Sequence, residues 1–537
     1  MKQIAGKFPA WISRTNIYLF GLALMMVALP TSKFLMSIAQ FILIFNWLLD
    51  KNVLVKFRRF FENKPAMVVF SVFFIHVIGL LWTSDFNYAW KDLRIKLPLL
   101  ALPVIISTTP RLQRKTFFNL MLLFIGANLF GSFFSIGKLL TREVFEIRDI
   151  SVFISHIRFA LNVCVAIFTA IYLSFQKRYY PAGFRFLLMI SALWLIFFLG
   201  LMEAVTGITV LVITTMVLLA ISVFQLRRLS IRLLVTFFLI AVPVSIFLHL
   251  RSLRNEIVPR EPFFHENLDS FTSRGNPYYH DSTLIGIENG HWVGQYLNID
   301  ELKDEWNFRS KVHFDTLDQR GNPVRFTLIR YMTSKGLRKD ADGVNSMTIE
   351  DVQAIESGVA SINQLTETSL NRRLKTVIWE IELYRNSGYI RGKSVTQRLE
   401  FWRAGTRIIA ENFWLGVGTG DIDRAFKEMY PKMQSQLPPD QWWRTHNQYL
   451  TVFATLGVFG FAWFIFAFFW PGIRLKMFGD YFFLTFFCIA ALSMITGDTL
   501  DTQAGVTFYS FFMVIFLLGR EEKDPLPRSK QQNPDNQ

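Results

Sequence analysis

The sequence predicts an all-α polytopic membrane protein of about twelve transmembrane helices, with one large polar domain between the ninth and tenth helices. Three observations carry that expectation. Hydrophobic residues make up 52% of the 537, only 18% are charged, and mean hydropathy is +0.30. The apolar residues fall in long runs, as crossing a bilayer requires. Many of the basic residues behind the net charge of +16 lie in short loops after every second run. There they act as topology signals rather than as a nucleic-acid footprint, so no nucleic-acid partner is expected.

In order, the runs cover 16–30, 34–49, 65–82, 95–107, 116–139, 150–175, 184–200, 205–225, 231–250, 447–472, 479–497 and 502–519. Lys51, Lys56, Arg58, Arg59 and Lys64 follow the second, and Arg111, Arg114 and Lys115 the fourth. Lys177, Arg178 and Arg185 follow the sixth, Arg227, Arg228 and Arg232 the eighth, Arg474 and Lys476 the tenth, and Arg520 the last. The positive-inside rule then puts these loops and both termini in the cytoplasm. The turns at 200–205 and 497–501 carry Glu203, Asp498 and Asp501 without Lys or Arg, as outer turns do. The segment from 251 to 446 must therefore lie outside. The predicted organisation is a bundle over 1–250, an outer domain over 251–446, three further helices over 447–519, and a disordered polar tail over 520–537. The basic stretch from Met1 to Arg14 leads into a run with no small-residue cleavage site behind it, which reads as a retained helix. Cys164 and Cys488 sit inside apolar runs and give no disulfide framework or metal motif. Neither metal nor cofactor is expected. No internal repeat or matched pair of broken apolar segments suggests a transporter.

Chemistry is concentrated near the outer boundary. The stretch Gln441 to Leu450 ends the polar segment and opens the tenth run, which places His446 and Asn447 where water meets membrane. A neutral imidazole there takes a proton from a hydroxyl or donates to a phosphate, although a lone histidine is more often structural. A helix over 397–410 sets Phe401, Trp402, Gly405, Ile408 and Ile409 on one face. Arg398 falls within that face, with Glu400, Arg403 and Arg407 opposite. An arginine there needs an anion or hydrogen-bond partners, and a phosphate suits its forked donors; a headgroup contact or a local carboxylate explains it equally well. Ser151, Ser155, Arg158 and Asn162 follow helical spacing as one polar stripe in the sixth run. An ionisable group at that depth marks a functional site or a structural ion pair. Gly416, Gly418, Gly420 and Asp421 form a glycine-rich turn whose N–H groups suit a phosphate, or simply a flexible bend. Glu203, Asp421 and Asp498 are outer carboxylates available as alternative bases.

Together these motifs resemble the O-antigen ligase and polymerase (Wzy-C) family. The residues that carry the resemblance are Ser394-Val-x-x-Arg398-x-x-x-Trp402, Asn412-x-Trp-Leu-Gly416-Val-Gly418-Thr-Gly420, His446-Asn447-x-Tyr449-Leu450 and Gly457-x-x-Gly460. The closing stretch Gly497 to Phe508 is similar to members from Bacteroidetes-type bacteria. The resemblance is close over roughly 390–519 and loose elsewhere. Where many members carry Ser-Arg-Gly after the seventh helix, this chain has Met202-Glu203-Ala204. The resemblance implies a metal-independent glycosyltransferase of the bacterial inner membrane, working on the periplasmic face. Its donor would be a glycan on undecaprenyl diphosphate. Its acceptor would be the hydroxyl of lipid A–core, a growing polymer or a protein. Arg398 resembles the arginine that binds the donor diphosphate, Arg158 an earlier membrane arginine, and His446 the essential base. From the residues alone, a transporter for an anionic lipid and a non-catalytic scaffold stand as the other classes.

Overall fold

The computed structural model describes residues 13–141, 150–224, 226, 228–258, 262–263, 268–282, 284, 286–387, 394–521 and 523–524. The basic stretch before residue 13, Arg227 and the polar tail beyond 524 lie outside the described residues. In chain order the helices begin with α1 (Arg14–Thr31), α2 (Lys33–Leu48), α3 (Val53–Glu62), α4 (Lys64–Ile78) and α5 (Phe86–Thr108). Next come α6 (Arg114–Thr141), α7 (His156–Ser174), α8 (Ala182–Leu201), α9 (Val205–Val223) and α10 (Leu229–Ile257). A polar stretch contributes α11 (Ile299–Arg309), α12 (Val324–Ser334), α13 (Ala341–Asn345), α14 (Ile349–Glu356), α15 (Asn363–Thr366) and α16 (Ser369–Ser387). Then follow α17 (Ser394–Glu411), α18 (Ile422–Lys432), α19 (Gln448–Arg474), α20 (Tyr481–Ile495) and α21 (Gln503–Leu518).

The chain is an all-α polytopic membrane protein. Each of the predicted apolar runs carries a helix. Among the described residues, 7 helices are long and apolar enough to span a membrane alone, and α2 with α3, bent by 106°, makes 8. The helices α20 and α21 are apolar but shorter. The run at 95–107 is only the second half of α5, which Asp85 caps by accepting from the Tyr88 N–H. The first half carries Lys91, Asp92 and Arg94, which conceal it from a search for apolar residues.

The described residues form two compact units, 1–239 with 398–537, and 240–397. The compact units part at 239/240 and 397/398. In the first unit α7 and α21 are the central helices, buried along nearly their whole lengths. Phe508, Phe512 and Phe516 of α21 pack in series, edge-to-face and then stacked, and meet Phe486 of α20. At one end of this core, Arg520 binds Asp480 and, at 2.8 Å, Asp524; Asp524 also accepts from Tyr172 of α7 at 2.9 Å. Buried charges are tolerated there because each has a partner.

One break in this unit matters for the site. α19 is interrupted at Gly457, where φ is 63° and ψ is −170°. The chain from Phe413 to Gly418 docks into that break. Val417 and Gly418 donate to the carbonyls of Ala454 and Thr455, and Val458 donates to Phe413. The groups freed by the broken helix are thereby satisfied inside the protein.

The second unit packs Trp306 of α11, Leu328 and Met332 of α12, and Val352 and Ile355 of α14 around one core. A hairpin joins β1 (Ile287–Glu288) to β2 (His291–Trp292). Its turn, Asn289-Gly290, has φ of 51° and 83°, the positive pair a tight hairpin needs. On α16, Lys375 is buried and ion-paired with Glu256 and Glu367, rather than facing solvent as an exposed basic helix would.

Candidate active site around His446

Asn447 caps α19, its side chain accepting from the N–H groups of Tyr449 at 3.0 Å and Leu450 at 3.2 Å. The residue before the cap, His446, is held at φ 49°, a left-handed conformation that is strained for any residue with a Cβ. That conformation turns the imidazole toward the α20–α21 connection, where Nδ1 lies 3.4 Å from Oδ2 of Asp498. The His446 side chain remains 43% exposed and the Asp498 side chain only 8%. A carboxylate at Nδ1 favours the tautomer with the proton on that nitrogen, which leaves Nε2 as the basic atom. Phe401 of α17 closes one side of the imidazole, ring centroids 5.7 Å apart.

Asp498 does more than face the histidine. Its Oδ1 accepts from the Thr451 hydroxyl of α19 at 3.0 Å. Its backbone carbonyl accepts from Nη2 of Arg158 at 2.8 Å, and the Thr499 hydroxyl accepts from Nη1 at 3.2 Å. Arg158 and His446 therefore meet at one residue from two sides. Both of these acceptors for Arg158 are neutral groups. Gly505 of α21 makes room for this, since a Cβ there would sit 2.9 Å from the Arg158 guanidinium carbon. The expected polar stripe is shorter than its spacing suggested. α7 begins at His156, so Ser151 and Ser155 precede the helix, and the Ser151 hydroxyl turns back to the Ile154 carbonyl. Asn162 remains one turn below Arg158 and donates to its carbonyl at 2.9 Å.

Arg398 lies in α17, half-buried, one turn ahead of Phe401 and Trp402 on the same face. The Trp402 indole donates to the Thr445 carbonyl at 3.0 Å. Gly405 leaves no space for a side chain beside Thr445. These contacts hold the Arg398 face against the residue that precedes His446. On the opposite face Glu400 is buried and pairs with Arg403 at 3.6 Å. Tyr430 of α18 packs on Phe401, on the Arg398 face.

The glycine-rich turn does not present its amides to a ligand. Gly416, Val417, Gly418 and Gly420 donate to Asn412, Ala454, Thr455 and Thr83 respectively. A Cβ on Gly416 would overlap the backbone of the α19 break. Asp421 accepts from the N–H and hydroxyl of Ser84 and the N–H of Asp85, at 2.7 to 3.0 Å, and pairs with Arg424 at 3.2 Å. Burial alone would raise its pKa, but these donors hold it below the ordinary carboxylate range. It fastens the turn to the α4–α5 connection.

The family model Wzy_C, described as O-antigen ligase, matches residues 349–465. The match makes this stretch similar to the O-antigen ligase family. The Wzy_C segment holds Arg398, Trp402, the glycine turn, Asp421, His446 and Asn447, while Arg158 and Asp498 come from outside it. No curated protein matches the chain. Sequence reasoning weighed Asp498 only as one outer carboxylate among three, and it passed over Lys96 and Arg444. The signal for Lys96 was present: a lysine at the edge of an apolar run, four residues after Asp92.

Proposed function

We propose that the protein is a glycosyltransferase of the bacterial inner membrane, moving a glycan from undecaprenyl diphosphate to a hydroxyl of lipid A–core on the periplasmic face. The observation that carries this reading is the joining of Arg158 and His446 through Asp498, and the Wzy_C match supports it. In the reaction, the acceptor oxygen forms a bond to the anomeric carbon of the donor sugar. The bond from that carbon to the diphosphate oxygen breaks, and its electron pair leaves with the diphosphate. Nε2 of His446 takes the acceptor proton, and Asp498 stabilises the resulting imidazolium. Arg158 and Arg398 bind the diphosphate and offset the charge that grows on it.

Replacing His446 or Arg398 with alanine tests this in membranes supplied with purified lipid-linked glycan and lipid A–core. Loss of the base is expected to lower transfer by about 10²- to 10⁴-fold. Wild-type transfer by His446→Ala at equal expression removes the proposed base. A polymerase would instead lengthen glycan on the carrier lipid, and a protein ligase would label protein in the same assay.

A further inference from the structure

The His446–Asp498 pair is bracketed on both sides by one chain of charges, buried at Asp92, Lys96 and Asp501 and partly exposed at Arg444. Lys96, in the middle of α5, is 1% exposed. Its ammonium donates to Asp92 one turn earlier at 2.6 Å and to Asp501 at 2.8 Å. The second oxygen of Asp501 pairs with Arg444 at 3.2 Å. Asp501 lies three residues after Asp498, in the same short 3-10 turn (Thr499–Asp501). Arg444 lies two residues before His446. The two segments that supply the pair are thus joined at Asp501, and Asp501 is joined to α5. Gln448 of α19 adds a fixed point by accepting the Leu500 N–H at 2.6 Å.

Stability is a poor explanation for this arrangement. Taking a lysine and two carboxylates out of water costs several kcal/mol per ion, and well-packed apolar residues are often as stable or more so. What ions supply here is a fixed register between segments that are far apart in the chain.

We propose that Lys96, acting through Asp501 and Arg444, is a positioning residue that sets the distance from Asp498 to His446 and the direction of the Asp498 carbonyl toward Arg158. The proposal rests on the transferase reading above. It predicts losses in two quantities at once: the chemical step, through His446, and diphosphate binding, through Arg158.

The test uses the full-length protein in detergent, taking only the monodisperse folded fraction. Lys96→Met breaks the chain, Lys96→Arg keeps the charge, and the triple variant Asp92→Asn, Lys96→Met, Asp501→Asn removes all three buried charges at near-constant shape. Per folded molecule, Lys96→Met and the triple variant are expected to lose at least about tenfold in kcat, with acceptor KM within about twofold of wild type. Lys96→Arg is expected to recover a large part of that loss. Binding of undecaprenyl diphosphate, measured in a His446→Ala background, is expected to weaken severalfold when Lys96→Met is added. That readout does not depend on turnover, so it stands even if transfer itself is not found. Wild-type kcat per folded molecule in the triple variant would overturn the proposal, as would unchanged diphosphate binding. Failure of His446→Ala to reduce transfer would instead sink the transferase reading and leave the binding result to judge Lys96.

Discussion

Asp498 holds a position that no single motif announces. Its carboxylate faces His446, its carbonyl takes Arg158, and 340 positions separate it from that arginine. Contacts at such separation leave no trace in local spacing, whereas His446 stands out at the boundary between a polar segment and an apolar run, and Arg398 on an apolar helix face. Asp498→Asn tests the division of labour. Asparagine keeps an acceptor for Thr451 and the same backbone carbonyl for Arg158, but it gives up the negative charge. Transfer is expected to fall about 10²-fold or more, while binding of the diphosphate carrier stays near wild type. Equal losses in both would place the carboxylate in binding rather than in proton transfer.

Among the elements, the glycine turn and the break in α19 form one device. The sequence marked both places with glycine, yet an amide bound to phosphate and an amide bound to a carbonyl look alike in one dimension. Only the partner, supplied by the freed carbonyls of Ala454 and Thr455, decides between them. Gly416→Ala puts a Cβ on a residue with φ 70° and against the backbone of the break. A loss of more than about 2 kcal/mol is expected from strain and overlap together. It should appear as a lower yield of folded protein, with each surviving molecule binding the diphosphate carrier as wild type does. In the second unit, Lys339 is buried with its ammonium 3.5 Å from the Trp292 carbonyl. Burial pushes its pKa down to about 7, against the pull of Asp340. The unfolded chain, with an ordinary lysine near 10.4, binds the extra proton across that window. Stability of this unit should therefore rise as pH goes from about 7 to 10, and Lys339→Met should flatten that rise and raise the neutral-pH melting temperature by a few degrees. An unchanged slope, followed by hydrogen exchange in unit 240–397, would show that another group sets it.

For the whole molecule, the pattern of apolar runs made the places of the apolar helices legible, but about twelve spans were expected and 7 or 8 helices among the described residues are long and apolar enough to cross a membrane. Bilayer thickness and charge act on composition, and composition is visible in one dimension. The edges were harder, as α5 shows, because a helix half built from charged residues hides from a search for apolar ones. The same basic loops set the expected sidedness. A cysteine introduced at exposed Lys311 should react with an impermeant maleimide added from the periplasmic side, against a wild-type background in which Cys164 is buried and Cys488 partly so. Labelling only after the membrane is opened would reverse the topology. Arg520 and Asp524, beyond the last helix, complete the ionic group that holds Asp480 and Tyr172, and the Asp498 turn lies between the final two helices. A nascent chain carrying every earlier helix still lacks both the fastening and the central acid of its site. A chain released before α21 is made would therefore be expected to lack both the proposed transfer and the ionic group that ties α7 to α20.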